Sequence, residues 1–223
     1  MSIHLSISPD FHFSQNDPRW RNADLDGIVG HGRTIGQWGC LGVAYCTLAN
    51  HWDISDLLPD AFLLKMRESG AMWGEGVRPA ALKTMFPDSV TYDGYLLRTR
   101  TDMRQKLREY LDAGYPVIGR VDFRPKTARI DQHWLLIIGE NEKNQLLAID
   151  PWTGTEININ DVYGIAGSDV VEILLYRPRG DQPIARGSRG NGGGMQFDID
   201  AQALIQETLN LMKRWQSLLQ NND

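Results

Sequence analysis

Two cysteines are all this chain has. That is too few for a disulfide framework. Cys40 and Cys46 stand six apart in one apolar run that reads as a helix, on different faces, so they are poorly placed to bridge each other. A structural zinc site would want more Cys and His nearby. The thiols are therefore either core groups or chemistry. Basic charge is also short: 28 acidic residues against 23 basic ones leave a net charge of -5, which disfavours nucleic acid as a partner. No apolar run approaches the ~20 residues of a membrane span. The opening MSIHLSISPDFHF has no basic stretch leading into an apolar one, so no signal peptide is expected and the expected location is cytoplasmic. Internal repeats are absent. GSRGNGGG lacks the GK[ST] of a phosphate loop. NADLDG (Asn22, Asp24, Asp26, Gly27) begins like a calcium loop, but Arg33 stands where its bidentate glutamate belongs, and a polar turn is the better reading. No metal or cofactor is expected.

What is present is an ordinary globular composition, 42% hydrophobic and 23% charged, in a chain long enough to bury a sizeable core. Residues 14–38 are rich in Gly, Asn and Asp and read as a long loop, which in a compact domain is usually functional or disordered. GCLGVAYCTLANHW then reads as a buried helix starting near Cys40. A second helix is predicted from Ser55 to about Glu68 with Ser55 as its cap, and a third after Pro79. SVTYDGYLL is strand-like. Residues 101–113 form an amphipathic helix that Thr101 or Asp102 can cap and Gly114 ends. From there YPVIGRVDF, HWLLIIGE, QLLAIDPW, TEININ and DVVEILLYRP read as strands bounded by turns. Helices first and strands second predict an α+β fold, with N-terminal helices packed on a C-terminal antiparallel sheet. The expected organisation is a domain over 1–177, a Gly/Arg-rich linker over 178–197 and an amphipathic helix over 198–223. That last helix repeats its apolar residues (Leu204, Leu211, Trp215, Leu218) at helical spacing. It offers a docking element, for this domain or for a protein partner.

Three residues attract a chemical reading. Cys40 follows Gly39 and opens a helix, and a helix N-terminus favours the thiolate that acts as a nucleophile. The bland alternative is a packed core thiol like Cys46. His133 stands just before an apolar strand, where a surface or packed histidine is common. Pairing the strands of residues 133–140 and 145–152 about a turn centred near residue 142 sets His133 opposite about residue 151. Asp150 is then an immediate or diagonal cross-strand neighbour, able to orient the imidazole. A slip of one residue would put the two on opposite faces. Trp38, Trp134 and Trp152 each flank one of these residues, as cleft walls or as core. His31, beside glycines in the long loop, reads as solvated.

The order Cys, His, Asp, with the cysteine opening a buried helix, resembles papain-like cysteine peptidases. The phrases SQNDPRW, TIGQWGC, DQHWLLIIGE and LLAIDPWTG resemble the C39-like peptidase family in particular, over roughly residues 10–177. That resemblance implies a papain-like fold, a triad matching Cys40, His133 and Asp150, and a glutamine helping to form the oxyanion hole. Gln15, in SQNDPRW, is the first choice for that glutamine and Gln37 the second. The implied activity is that of a cysteine peptidase or amidase acting on a peptide or protein substrate. The competing readings are a catalytically silent binding or assembly module on the same fold, and a thiol acyltransferase or deamidase.

Overall fold

The computed structural model describes residues 2–25, 33–74, 76–123, 132–163 and 170–180. His31, the second half of the calcium-like segment, the linker beyond residue 180 and the helix expected over 198–223 lie outside them. In chain order the elements are β1 (Ile3–His4), a 3-10 turn at Pro9–Phe11, α1 (Ile35–Trp38), α2 (Cys40–His51), α3 (Pro59–Glu68), β2 (Met72–Trp73) and β3 (Gly76–Val77). There follow α4 (Ala81–Met85), β4 (Val90–Leu97), α5 (Met103–Asp112), β5 (Val117–Asp122), β6 (Gln132–Glu140) and β7 (Leu146–Asp150). The described part ends with β8 (Thr155–Asn158), α6 (Ile159–Tyr163) and β9 (Glu172–Pro178).

The fold is α+β: N-terminal helices on a seven-stranded sheet in the order β4-β9-β5-β6-β7-β8, with β1 extending the free edge of β6. Every pairing is antiparallel. β6 runs through the middle, and both of its faces are covered. Leu136 and Ile138 join Leu48 of α2, Phe62 and Met66 of α3 and Leu82 of α4 in one core cluster. Leu135 and Ile137 join Leu107 and Leu111 of α5 and Ile159 of α6 in the other. A strand buried on both sides needs apolar residues at every position, which explains the unbroken WLLII of its sequence. The helices of one side are thus consecutive in the chain, while α5 and α6 cover the other.

Several boundaries differ from expectation. The second helix starts at Pro59, and Ser55 does not cap it. Leu58, just before the proline, is extended (φ -76, ψ 160), because a proline ring disfavours helical backbone in its predecessor. Ser55 Oγ instead accepts the N–H of Leu57 at 3.2 Å, closing a local turn. Two short helices interrupt segments read otherwise. α1 lies inside the expected long loop, and α6 follows the strand read over TEININ. Asn158 is the reason for the second break: its side-chain oxygen accepts the N–H of Asn160 at 3.0 Å, the bond by which an Asn starts a helix. Gly114 ends α5 as expected, in left-handed backbone at φ +88.

α2 buries its apolar side chains against the sheet. Leu48 is 0% exposed and Leu64, on the outer side of α3, is 46% exposed. Leu48→Ala should cost about 2–5 kcal/mol, and Leu64→Ala no more than about 0.5 kcal/mol. Urea denaturation of the two variants checks this difference.

Candidate active site

Cys40 is the first residue of α2. Gly39 separates it from α1, and its N–H donates to Ile35 O at 2.8 Å. A Cβ at Gly39 would stand 2.5 Å from that same carbonyl oxygen, so only glycine lets α1 turn this tightly into α2. Behind Cys40, α2 is buried from Gly42 to Asn50. The helix is thus held along its middle, and at its N-terminal end Cys40 is partly exposed. Cys46 is different. It is 0% exposed, its thiol donates to Leu57 O at 3.3 Å, and burial pushes that thiol's pKa well up.

His133 and Asp150 meet through the register of β6 and β7. Leu136 pairs with Ile149 and Ile137 with Ala148. Continued toward the open end of the hairpin, that register sets Asp150 opposite Leu135. His133, two residues further, is then its diagonal neighbour on the same face. Nearer the turn the register is different: Gly139 pairs with Leu147 and Glu140 with Leu146. A bulge at Ile138 joins the two. A bulge-free ladder starting from the turn would set Asp150 opposite Leu136, with His133 on the other face of the sheet. The contacts of β6 report the change of parity: Glu140 meets Arg104 and Arg108 of α5, whereas Ile138, two residues earlier, packs in the cluster beneath α2.

The outcome is a bond of 2.7 Å between His133 Nε2 and Asp150 Oδ1, with the two residues 3% and 1% exposed. With Nε2 given to the carboxylate, the remaining ring nitrogen, Nδ1, is left for the thiol. Cys40 lies near enough to the His133 ring to favour its protonated form. Asp150 is further satisfied by the Trp152 N–H on Oδ1 at 2.8 Å and the Tyr163 O–H on Oδ2 at 2.6 Å. Burial resists the charge on the imidazole, but the Asp150 bond and the nearby Cys40 outweigh it and raise the ring to about 9. For Asp150 burial works against ionisation too. The bonds from His133, Tyr163 and Trp152 win, and its carboxyl lies below the ordinary value. Rings close the dry side of the pair: Phe123 lies 5.0 Å and Tyr163 5.5 Å from the His133 ring, and Trp152 5.1 Å from Phe123.

The segment before the first helix is tied to the turn after Asp150. Gln15 N–H donates to Pro151 O at 2.6 Å, and Ser14 Oγ and Asn16 Nδ2 both donate to Trp152 O. Gly154 makes the close approach possible: its φ is +70, and a Cβ there would lie 2.9 Å from His12 O. The Gln15 side chain is 1% exposed, and its Nε2 donates to Gly36 O of α1 at 2.8 Å. That carbonyl can face only the donor end of the amide, which fixes its orientation. Gln37, one residue beyond Gly36, is exposed. Of the two glutamines singled out in the sequence, the structure therefore anchors Gln15 between α1 and the Asp150 turn and leaves Gln37 toward solvent. Trp38 and Trp152 are 59% and 41% exposed, while Trp134 packs against the core beneath α2.

Two groups at this site went unread in the sequence. Phe123 follows β5, at the end of a segment that looked merely apolar. Tyr163 sits on α6, whose only advance signal was Asn158 followed three residues later by Asp161, an N-cap pattern hidden in TEININ. Among the described residues no group of three or more His, Cys, Asp or Glu is arranged to hold a metal, and no helix is long and apolar enough to cross a membrane. Compared with protein-family models, curated proteins and solved structures, the chain matches none of them.

The exposure of the two thiols gives a direct test. Iodoacetamide on the folded protein should label Cys40 well before Cys46, read by peptide mass spectrometry. Equal labelling of both would contradict the placement of Cys40 at an open helix end.

Proposed function

We propose that this chain is a papain-like cysteine peptidase or amidase of the C39-like kind, acting on a peptide or protein substrate. The observation that carries the reading is the linked series Cys40, His133, Asp150, with a partly exposed thiol at a helix start at one end and a buried, fully hydrogen-bonded carboxylate at the other. A thiol, an imidazole and a carboxylate in hydrogen-bonded sequence are what acyl transfer through sulfur needs. A silent binding module has no use for a histidine held so strongly basic beside an accessible thiol.

In the proposed reaction the Cys40 proton passes to His133 Nδ1, leaving a thiolate beside an imidazolium. Sulfur attacks the amide carbonyl carbon, and the carbonyl electrons move onto oxygen. Gln15 Nε2 and the Cys40 backbone N–H receive that oxyanion; the N–H is free because the first residues of a helix have no intrahelical acceptor. When the tetrahedral species collapses, the C–N bond breaks and the imidazolium gives its proton to the departing amine. Water then attacks the thioester, with His133 taking its proton, and the acid leaves as the thiolate re-forms. Asp150 stays ionised throughout and holds Nε2–H.

Cys40→Ala or His133→Ala should abolish hydrolysis of an activated peptide amide while circular dichroism stays unchanged. Gln15→Ala should lower kcat by about 10²–10³-fold, and Gln37→Ala should leave it near wild type. Full activity in Cys40→Ala would reject the mechanism.

The raised imidazole sets the pH dependence. Protonated His133 predominates below about 9 and is lost as pH rises through that value. Amide cleavage needs this proton for the leaving amine, so kcat/KM should fall on the alkaline side near 9. Alkylation of Cys40 by iodoacetamide needs only the thiolate and should not fall there. Parallel pH profiles of turnover and alkylation separate the two.

A further inference from the structure

His133 and Asp150 are not the whole of the buried polar group. Asp150 has two carboxylate oxygens, and the imidazole uses one. Oδ2 is met by the hydroxyl of Tyr163, which donates to it at 2.6 Å from α6, an element on a different part of the chain from either strand. Tyr163 is 5% exposed. Its ring also lies against His133 and, at 6.0 Å, against Phe123. Without the hydroxyl, Oδ2 would be a buried anionic oxygen with no donor, a state that costs several times an ordinary hydrogen bond.

We infer that Tyr163 is a positioning residue for the Asp150–His133 pair: its O–H takes the carboxylate oxygen that the ring leaves free and shares the charge that would otherwise fall on the imidazole alone. The inference deepens the peptidase reading and rests on it for its catalytic meaning, though not for its physical content. A carboxylate neutralised by three donors pulls less strongly on any one of them. With Tyr163 in place, His133 holds its proton firmly enough to pair with a thiolate, and not so firmly that it cannot pass the proton to a leaving amine. The other groups around the ring do not duplicate this contact. Cys40 of α2 acts on the ring itself and not on Asp150, and the Trp152 N–H is already on Oδ1. On β5, Val121 is the residue paired with His133, so strand alternation turns the next carboxylate, Asp122, to the opposite face. Burial and the Asp150 bond hold the Tyr163 hydroxyl protonated far above neutral pH, so it acts as a donor over the whole working range.

The test is Tyr163→Phe, which keeps the ring and its packing and removes only the donor. The His133 ring is titrated by ¹⁵N NMR of histidine-labelled protein, without substrate, and kcat and KM are measured separately. The expected result is an upward move of the His133 titration by about half a unit or more. A fall of about tenfold in kcat with little change in KM should accompany it. A buried tyrosine on the other face of the sheet supplies the comparison: Tyr45, whose hydroxyl bonds to Pro79 O and Tyr176, should leave the His133 titration in place when changed to Phe. An unchanged or lowered titration in Tyr163→Phe, or an equal move in Tyr45→Phe, would overturn the inference. The NMR shift and the turnover fail independently. A shifted titration in a protein that cleaves no amide sinks the peptidase reading and leaves the role of Tyr163 standing, and turnover with an unmoved titration does the reverse.

Discussion

The bond between His133 Nε2 and Asp150 Oδ1 exists because two strands are out of step by one residue. Side chains alternate strictly across a sheet, so any pair of residues on neighbouring strands shares a face only in every second register. The turn between β6 and β7 starts the hairpin in the wrong one. The bulge at Ile138 changes it before the strands reach the site, and it does so while leaving both faces of β6 apolar. The whole polar group follows from this offset: the carboxylate that meets the imidazole, the imidazole left to meet Cys40, and the Tyr163 hydroxyl on the remaining oxygen.

The two halves of the site come from opposite layers of the fold. α2 packs on one face of the sheet and brings Cys40, its first residue, near His133, while His133 and Asp150 lie on the face that α5 and α6 cover. Such a site sits where the layers end, reachable by solvent on the thiol side and closed by Phe123, Tyr163 and Trp152 on the carboxylate side. The opposed environments have a chemical consequence. The carboxylate is kept ionised by donors it could not find in water-poor surroundings by chance, and the imidazole between them is made more basic despite its own burial. The Gln15 segment is bound into the same arrangement through the turn at Pro151–Gly154, so the part of the chain proposed to hold an oxyanion is fixed by the turn that follows Asp150.

Much of this was legible beforehand, and for definite reasons. The helix at Cys40 was marked by an apolar run behind a glycine, and β5 to β9 by apolar segments between turns. Gly114 announced the end of α5. What misled were local competitions: Pro59 delaying a helix whose start Ser55 had marked as a cap, and Asn158 converting the end of an apparent strand into α6. The long polar stretch before Cys40 hid α1, because four residues are too few to show a period. The preference for Gln15 over Gln37 came from resemblance alone; the structure adds that Gln15 is buried and anchored and Gln37 is not.

The amino-acid order by itself determined the kinds of group available and where the longer helices and strands would fall, since periodicity and glycine or proline placement act over a few residues. It also brought His133 and Asp150 to within one register step of each other, because a short hairpin leaves few alternatives. Whether that step fell on the right face was decided only by tertiary packing. Leu136 and Ile138 pack under α2 while Leu135 and Ile137 pack under α5 and α6, and the bulge at Ile138 lets Glu140 reach the α5 arginines without disturbing that alternation. The convergence of Cys40 and Tyr163 on His133 was likewise beyond local reading, because residues 40 and 163 share no pattern in the chain.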